Sequence, residues 1–311
     1  MSDTTAGRKT WMNGLLFGLT ILTTWFAGTF FAASFLSAEG ASPGALFDPR
    51  LLGLGLLYAV VLMIILTGHE LGHYLTCRRY GVLATLPFFI PGPPFLGTFG
   101  AFIRIKSPVR FRRQIFDVGA NGPLTGFALA LPALVLGLAL SKVGPLPAAP
   151  DTITFGEPLL FKLLSGLFFG GIAEGSSLIL HPIGFAGWVG LLVTAFNLVP
   201  LGQLDGGHVA YAVLGKRARV LSWIMVGFLT AMGVFYHLSW IILAAVMLFF
   251  EFKSKMRLRH PPVYDEDAPL GPKRIVLSLV VLLIFVLSFI PDPIKGASLL
   301  NILNGSWGAG G

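Results

Sequence analysis

Residues 51–73 read LLGLGLLYAVVLMIILTGHELGH. From Leu51 to Leu66 the stretch is almost wholly apolar, and Thr67-Gly68-His69-Glu70-Leu71-Gly72-His73 follows without a break. An apolar run of this length predicts a helix in lipid, because about 20 such residues cross a bilayer. Residues four apart on a helix share a face, so His69 and His73 can reach one divalent ion. Glu70 then projects beside them, toward a water on that ion. The residue set suits zinc-assisted hydrolysis. A charged side chain at membrane depth costs roughly 2.5–3.5 kcal/mol on insertion scales, which argues for a site rather than incidental packing.

Composition agrees with a membrane protein: 55% of residues are hydrophobic, 12% are charged, and the mean hydropathy is +0.80. No soluble core of ordinary composition looks like this. Cys77 is the only cysteine, so an intramolecular disulfide is excluded and any metal must be held by nitrogen and oxygen.

Working outward from residues 51–73, apolar runs predict an all-α polytopic membrane protein of about seven spanning helices, at 11–36, 51–77, 117–140, 183–201, 217–234, 236–252 and 274–291. The fifth and sixth are separated only by Phe235 and its neighbours, which also fits a tight hairpin or an incompletely spanning pair. The first run is longer than a signal-peptide core and is expected to remain as an anchor. The chain divides into an N-terminal anchor and outer loop (1–50), a core (51–210) and C-terminal helices with a charged linker (211–311). With the N-terminus cytoplasmic, every Lys and Arg except Arg50, Lys142, Lys162 and Lys295 falls on the cytoplasmic side. That asymmetry obeys the positive-inside rule and explains the net charge of +8. The cluster Arg104, Lys106, Arg110, Arg112, Arg113 then reads as a rim facing lipid headgroups, and nucleic acid is not an expected partner. The expected location is a bacterial inner membrane, with the bilayer and membrane-anchored proteins as partners.

In this orientation the second and fourth helices end on the same side, and the fourth runs into Asn197-Leu198-Val199-Pro200-Leu201-Gly202-Gln203-Leu204-Asp205-Gly206-Gly207-His208. A catalytic zinc takes three protein ligands and leaves one position open. Asp205 is the candidate for the third: Pro200 breaks the helix, and Gly206 and Gly207 permit backbone geometry closed to other residues. An Asp before two glycines is also a common turn or capping residue.

The HELGH helix, the Asn-x-x-Pro…Leu-Asp-Gly-Gly segment and their order resemble the site-2 protease family of intramembrane zinc metalloproteases. The resemblance runs from about Leu51 to Ala210. Gly97-Thr98-Phe99-Gly100 and Gly122-Pro123-Leu124-Thr125-Gly126 are similar to the photosynthetic-lineage branch and its bacterial relatives. It implies zinc held by His69, His73 and Asp205, Glu70 as general base, and Asn197 as an amide that orients substrate or stabilises an oxyanion. It also implies regulated cleavage of membrane-anchored proteins. Two departures stand out. Ser141 to Pro182 is too short for a PDZ domain, and after Phe252 there is a basic linker, the stretch Pro261 to Pro272 and one helix, with no cystathionine-synthase-like domain.

Between the second and third helices, Pro87, Pro91, Pro93 and Pro94 bar a regular helix, and Gly97 to Lys106 reads as a strand or hairpin. Gly97, Thr98, Phe99 and Gly100 are the candidate substrate-binding residues. The hairpin either offers a strand edge along Thr98 to Ile105 to an extended substrate, or plugs the cytoplasmic mouth. Gly122-Pro123-x-x-Gly126 is assigned to helix packing. Leu159 to Ile172 is a short outer segment, re-entrant or lying on the surface. Glu174 and His181 are expected outside, away from the metal, and His208 is read as structural or as a neighbour of the metal. His237 and His260 are expected in loops or at interfaces. Other functional classes remain: a divalent-metal or proton-coupled transporter, for which no internal repeat is found, and an inactive relative that binds membrane partners.

Overall fold

A computed structural model describes residues 4–38, 48–145, 154–173, 175–253, 263–266, 268–295 and 298–303. Glu174 and His260 lie outside them. The chain is mainly helical: α1 (Thr4–Ala38), α2 (Pro49–Arg79), β1 (Phe88–Pro91), β2 (Thr98–Phe102), α3 (Arg112–Ala139), β3 (Lys142–Pro145), α4 (Leu159–Phe169), β4 (Ser176–Ile179), α5 (Pro182–Leu198), α6 (Asp205–Leu214), α7 (Ala218–Phe235), α8 (Ser239–Lys253), α9 (Pro272–Ser288) and α10 (Leu299–Leu303).

Each of the seven expected runs coincides with a helix, and among the described residues four helical stretches are long and apolar enough to cross a membrane: Trp11–Ser37, Pro49–Arg79, Arg112–Ala139 and Asp205–Phe235. The last joins α6 and α7 through a 3-10 turn at Gly215–Arg217. Helices α5 and α9 have 17 residues and α8 has 15. At about 1.5 Å per residue, 17 residues reach roughly 25 Å, short of the roughly 30 Å hydrocarbon layer. Length and composition thus support four candidate spans among the described residues, with the remaining expected runs present as shorter apolar helices.

The chain forms two compact units. The first comprises Met1–Pro108, Leu124–Leu146 and Leu163–Val193. In it α1 packs along α2 at a crossing of small residues, where a Cβ on Gly28 would overlap Gly55 O and a Cβ on Gly55 would come within 2.9 Å of Thr29 N. Trp25 Nε1 donates to Leu52 O at 2.9 Å beside this crossing. The expected hairpin is present, as β1 pairs antiparallel with β2 from Phe88↔Phe102 to Pro91↔Thr98. Helices hold it by side chains: Asn13 Nδ2 donates to Pro87 O (2.7 Å), Thr23 Oγ1 to Gly97 O (2.6 Å) and Tyr58 OH to Leu96 O (3.0 Å). A second pair, β3 with β4, has no counterpart in the sequence reading; β-branched Val143 and Ile179 suit it, and both strands fall within Ser141 to Pro182, on either side of the short outer segment Leu159 to Ile172.

The second unit comprises Val109–Pro123, Pro147–Lys162 and Thr194–Gly311. Its core gathers Val199, Leu201, Leu229, Trp240 and Ala244. Helices α7 and α8 form the tight hairpin offered as one alternative, turning at Tyr236–Leu238 with Tyr236 N and His237 N both donating to Met232 O.

Candidate metal centre

Asp48 starts α2 by accepting from Arg50 N at 2.8 Å, and Pro49 occupies the first turn, where its missing N–H costs nothing. The helix then runs regularly to Arg79, which places His69 and His73 one above the other. They are 3% and 7% exposed, and Glu70 between them 4%. The two Nε2 atoms lie 3.1 Å apart. Nitrogens held at about 2.0–2.1 Å from one tetrahedral ion stand about 3.3 Å apart, so the pair is spaced for a shared metal. Around them α2 and α3 approach closely. A Cβ on Gly126 would come 3.0 Å from His69 Nδ1, and one on Gly68 would overlap Leu129 Cδ1. Gly126 was assigned to packing; the structure adds that what it packs against is the His69 ring.

The second ligand-bearing region begins where α5 stops at Leu198, ahead of Pro200. The chain turns through Leu201 N to Val199 O (2.7 Å) and Leu204 N to Leu201 O (3.2 Å), with Gly202 in the left-handed region at φ +54°. Asp205 then opens α6, where the positive end of the helix dipole favours a carboxylate. The glycine pair serves a different purpose from the one expected. Gly206 and Gly207 are helical, and a Cβ on them would overlap Leu198 O and Gly202 O respectively. They let the first turn of α6 lie directly on the turn that precedes it.

His69, His73 and Asp205 each offer one ligand atom, and these atoms all lie within 4.8 Å of one another. Two imidazole nitrogens and a carboxylate oxygen are a donor set that zinc accepts, with a fourth position left for solvent or substrate. His208 is outside this group; its Nδ1 lies 3.0 Å from Leu204 O, one turn back in its own helix. His181 is also outside it, with its backbone N–H bound to Ser141 Oγ and its ring against Phe35. His237 Nδ1 accepts from Ser239 N at the start of α8. Asn197 sits half-buried in the last turn of α5.

In the hairpin, Thr98 is buried, and its hydroxyl donates to Ile90 O (2.9 Å) and accepts from Gly100 N (2.9 Å). Gly97 and Gly100 have φ of +80° and +99°, which explains glycine at both. Phe99 is 73% exposed and has no partner in the register, which slips between Ile90 and Pro91. Of these residues, then, Thr98 and the glycines shape the hairpin, while Phe99 is displayed by it.

Comparison with known proteins places these features in a family. The model of "Peptidase family M50" matches residues 57–240. "Probable zinc metalloprotease EGY2, chloroplastic" of Arabidopsis thaliana is 32% identical over 77% of this chain and 42% of its own length. The protein of the same name in Oryza sativa subsp. indica is 32% identical over 77% of this chain and 43% of its own. "Probable zinc metalloprotease EGY1, chloroplastic" of Arabidopsis thaliana is 32% identical over 73% and 41%. The chain thus spans less than half the length of these curated relatives. The matched region contains both segments that carry the candidate ligands, and on this match the chain belongs to peptidase family M50, the family of the site-2 proteases.

Proposed function

We propose that this protein is an intramembrane zinc endopeptidase that hydrolyses peptide bonds in or near transmembrane segments of membrane-anchored proteins. The observation that carries the reading is the convergence of ligand atoms from His69, His73 and Asp205 within 4.8 Å, with Glu70 buried beside the histidines. His69, His73 and Asp205 would hold the zinc ion. Zinc supplies Lewis-acid polarisation of the scissile carbonyl and a more acidic water. Glu70 takes the proton of the attacking water and returns it to the leaving amine. Burial keeps its carboxylate away from bulk water, so its proton traffic stays within the site. Asn197 donates its amide hydrogen to the developing oxyanion or to the substrate backbone.

A helical substrate hides its carbonyls in internal hydrogen bonds, so it must be extended before cleavage. The β1–β2 hairpin, with Phe99 displayed at an irregular register, supports a role as the strand to which that extended segment adds. Phe99→Pro should lower turnover while zinc content stays the same; unaltered cleavage would leave the hairpin as a plug. The Lys/Arg distribution supports a cytoplasmic N-terminus. The relatives' names say chloroplastic, and none points to a bacterial inner membrane; the location proposed is integral and multi-pass. The family supports regulated intramembrane proteolysis as the setting.

The test is cleavage of a membrane-anchored substrate by purified protein in lipid, wild type against Glu70→Gln. Loss of the base should reduce turnover by about a hundredfold or more with zinc still bound. Turnover near wild type in Glu70→Gln would overturn the assignment.

A further inference from the structure

Arg112, the first residue of α3, aims its guanidinium at backbone rather than solvent. Nε donates to Ala212 O at 2.6 Å and Nη2 to Val213 O at 2.9 Å. Nη1 donates to Glu266 O and Ala268 O, each at 3.0 Å. Ala212 and Val213 stand in the last turn of α6, where carbonyls have no partner further along the helix and a cation meets the negative end of the dipole. The segment that supplies Glu266 and Ala268 answers in kind: Asp265 Oδ1 accepts from Arg112 N at 2.6 Å and so caps the start of α3 from far away in sequence. Tyr211 OH of α6 donates to Glu266 Oε1 at 3.2 Å. At the other end of the segment, Arg274 in the first turn of α9 grips Asp117 of α3 through Nε and Nη2, 2.8 Å to each carboxylate oxygen.

Helix α3 lies directly on the ligand-bearing turn of α6. A Cβ on Gly119 would come 2.7 Å from His208 Cβ and 3.0 Å from Asp205 O. The first turns of α3, the whole of α6 and the described part of segment 263–274 are therefore joined by backbone contact at one end of α6 and by Arg112 at the other. Lys216–Glu266, at 3.4 Å with the lysine 85% exposed, contributes little by comparison, since exposed ion pairs are weak.

We propose that residues 263–266 and 268–274 form a strap, with Arg112 as its positioning residue, that holds α6 so that the Asp205 carboxylate keeps its metal-binding place. This rests on the reading of Asp205 as a ligand. Helix α6 has 10 residues, about 15 Å, so a tilt allowed at its far end is felt at Asp205 two to three turns away. Arg112 touches neither metal nor substrate; its effect passes through the carbonyls of Ala212 and Val213.

The experiment strips zinc from the purified full-length protein by chelator titration and, in parallel, separates kcat from KM on an anchored substrate. Arg112→Met should lower the chelator concentration for half-removal about tenfold, as loss of groups that orient metal ligands commonly does, and should reduce kcat with KM unchanged. Arg112→Lys should behave like Arg112→Met, because one ammonium cannot serve carbonyls on two segments. Lys216→Met should leave both quantities alone. Asp117→Arg should weaken zinc retention, and adding Arg274→Asp should restore it. If Asp205→Asn retains zinc as wild type does, the metal assignment itself fails. If Asp205→Asn loses zinc but Arg112→Met and Asp117→Arg hold it normally, the strap alone is overturned. Should Arg112→Met yield no folded protein, the exchange pair decides: recovery in the double variant supports the strap, and undiminished retention in Asp117→Arg refutes it.

Discussion

The two regions that carry the candidate ligands position them by opposite means. In α2 the histidines are set by an unbroken helix of 31 residues, and their relation follows from its repeat alone. In the turn between α5 and α6 no periodicity is at work. Proline ends one helix, Gly202 takes a left-handed conformation, and Gly206 lies where any side chain would overlap Leu198 O. The first region tolerates change wherever a side chain can move aside, whereas the second is limited by backbone against backbone, which cannot move aside without shifting a helix.

Substitutions in the two regions test this difference. The largest effect expected is from His73→Ala, which should remove zinc and abolish turnover while leaving helical content by circular dichroism unchanged, since α2 does not need the ring to form; retained stoichiometric zinc would contradict its role. Next comes Gly206→Ala, whose added methyl meets the carbonyls of Leu198 and Val199. It should destabilise the protein by about 1–3 kcal/mol and loosen zinc, read by unfolding in mixed micelles and by chelator titration. Gly68→Ala meets the tip of Leu129, a side chain that can rotate, and should cost less than about 1.5 kcal/mol. If it proves worse than Gly206→Ala, the distinction between the regions is wrong. The smallest effect belongs to Gly53→Ala, also in α2, where a Cβ would meet nothing within 4 Å; stability should stay level or rise by roughly 0.5 kcal/mol.

The hairpins teach a similar lesson. Four prolines and the glycines at 97 and 100 announced β1–β2, because these residues forbid a helix and supply turn geometry. Nothing comparable marks β3–β4, whose strands are separated by 30 residues in sequence and include Lys142, Gly144 and Pro145. Helix α1 was legible as an apolar run, but its grip on β1 through Asn13 and Thr23 was not, since each bond joins residues more than 70 apart.

Legible along the chain is whatever depends on neighbours a few residues away: the apolar runs that become helices, the shared face of His69 and His73 with Glu70 beside them, and the interruption before Asp205. The order of the motifs along the chain also points to the site-2 protease family. Folding in three dimensions was needed to show that Asp205 opens a new helix, that its glycines serve close approach rather than unusual dihedrals, that Gly126 abuts the His69 ring, and that Arg112 joins α6, 100 residues on in the chain, to carbonyls 154 and 156 residues on. The physical reason is range. Helical repeat and chain-breaking act along the chain and can be read there, while steric exclusion and hydrogen bonding between distant backbones exist only once folding has brought those backbones together.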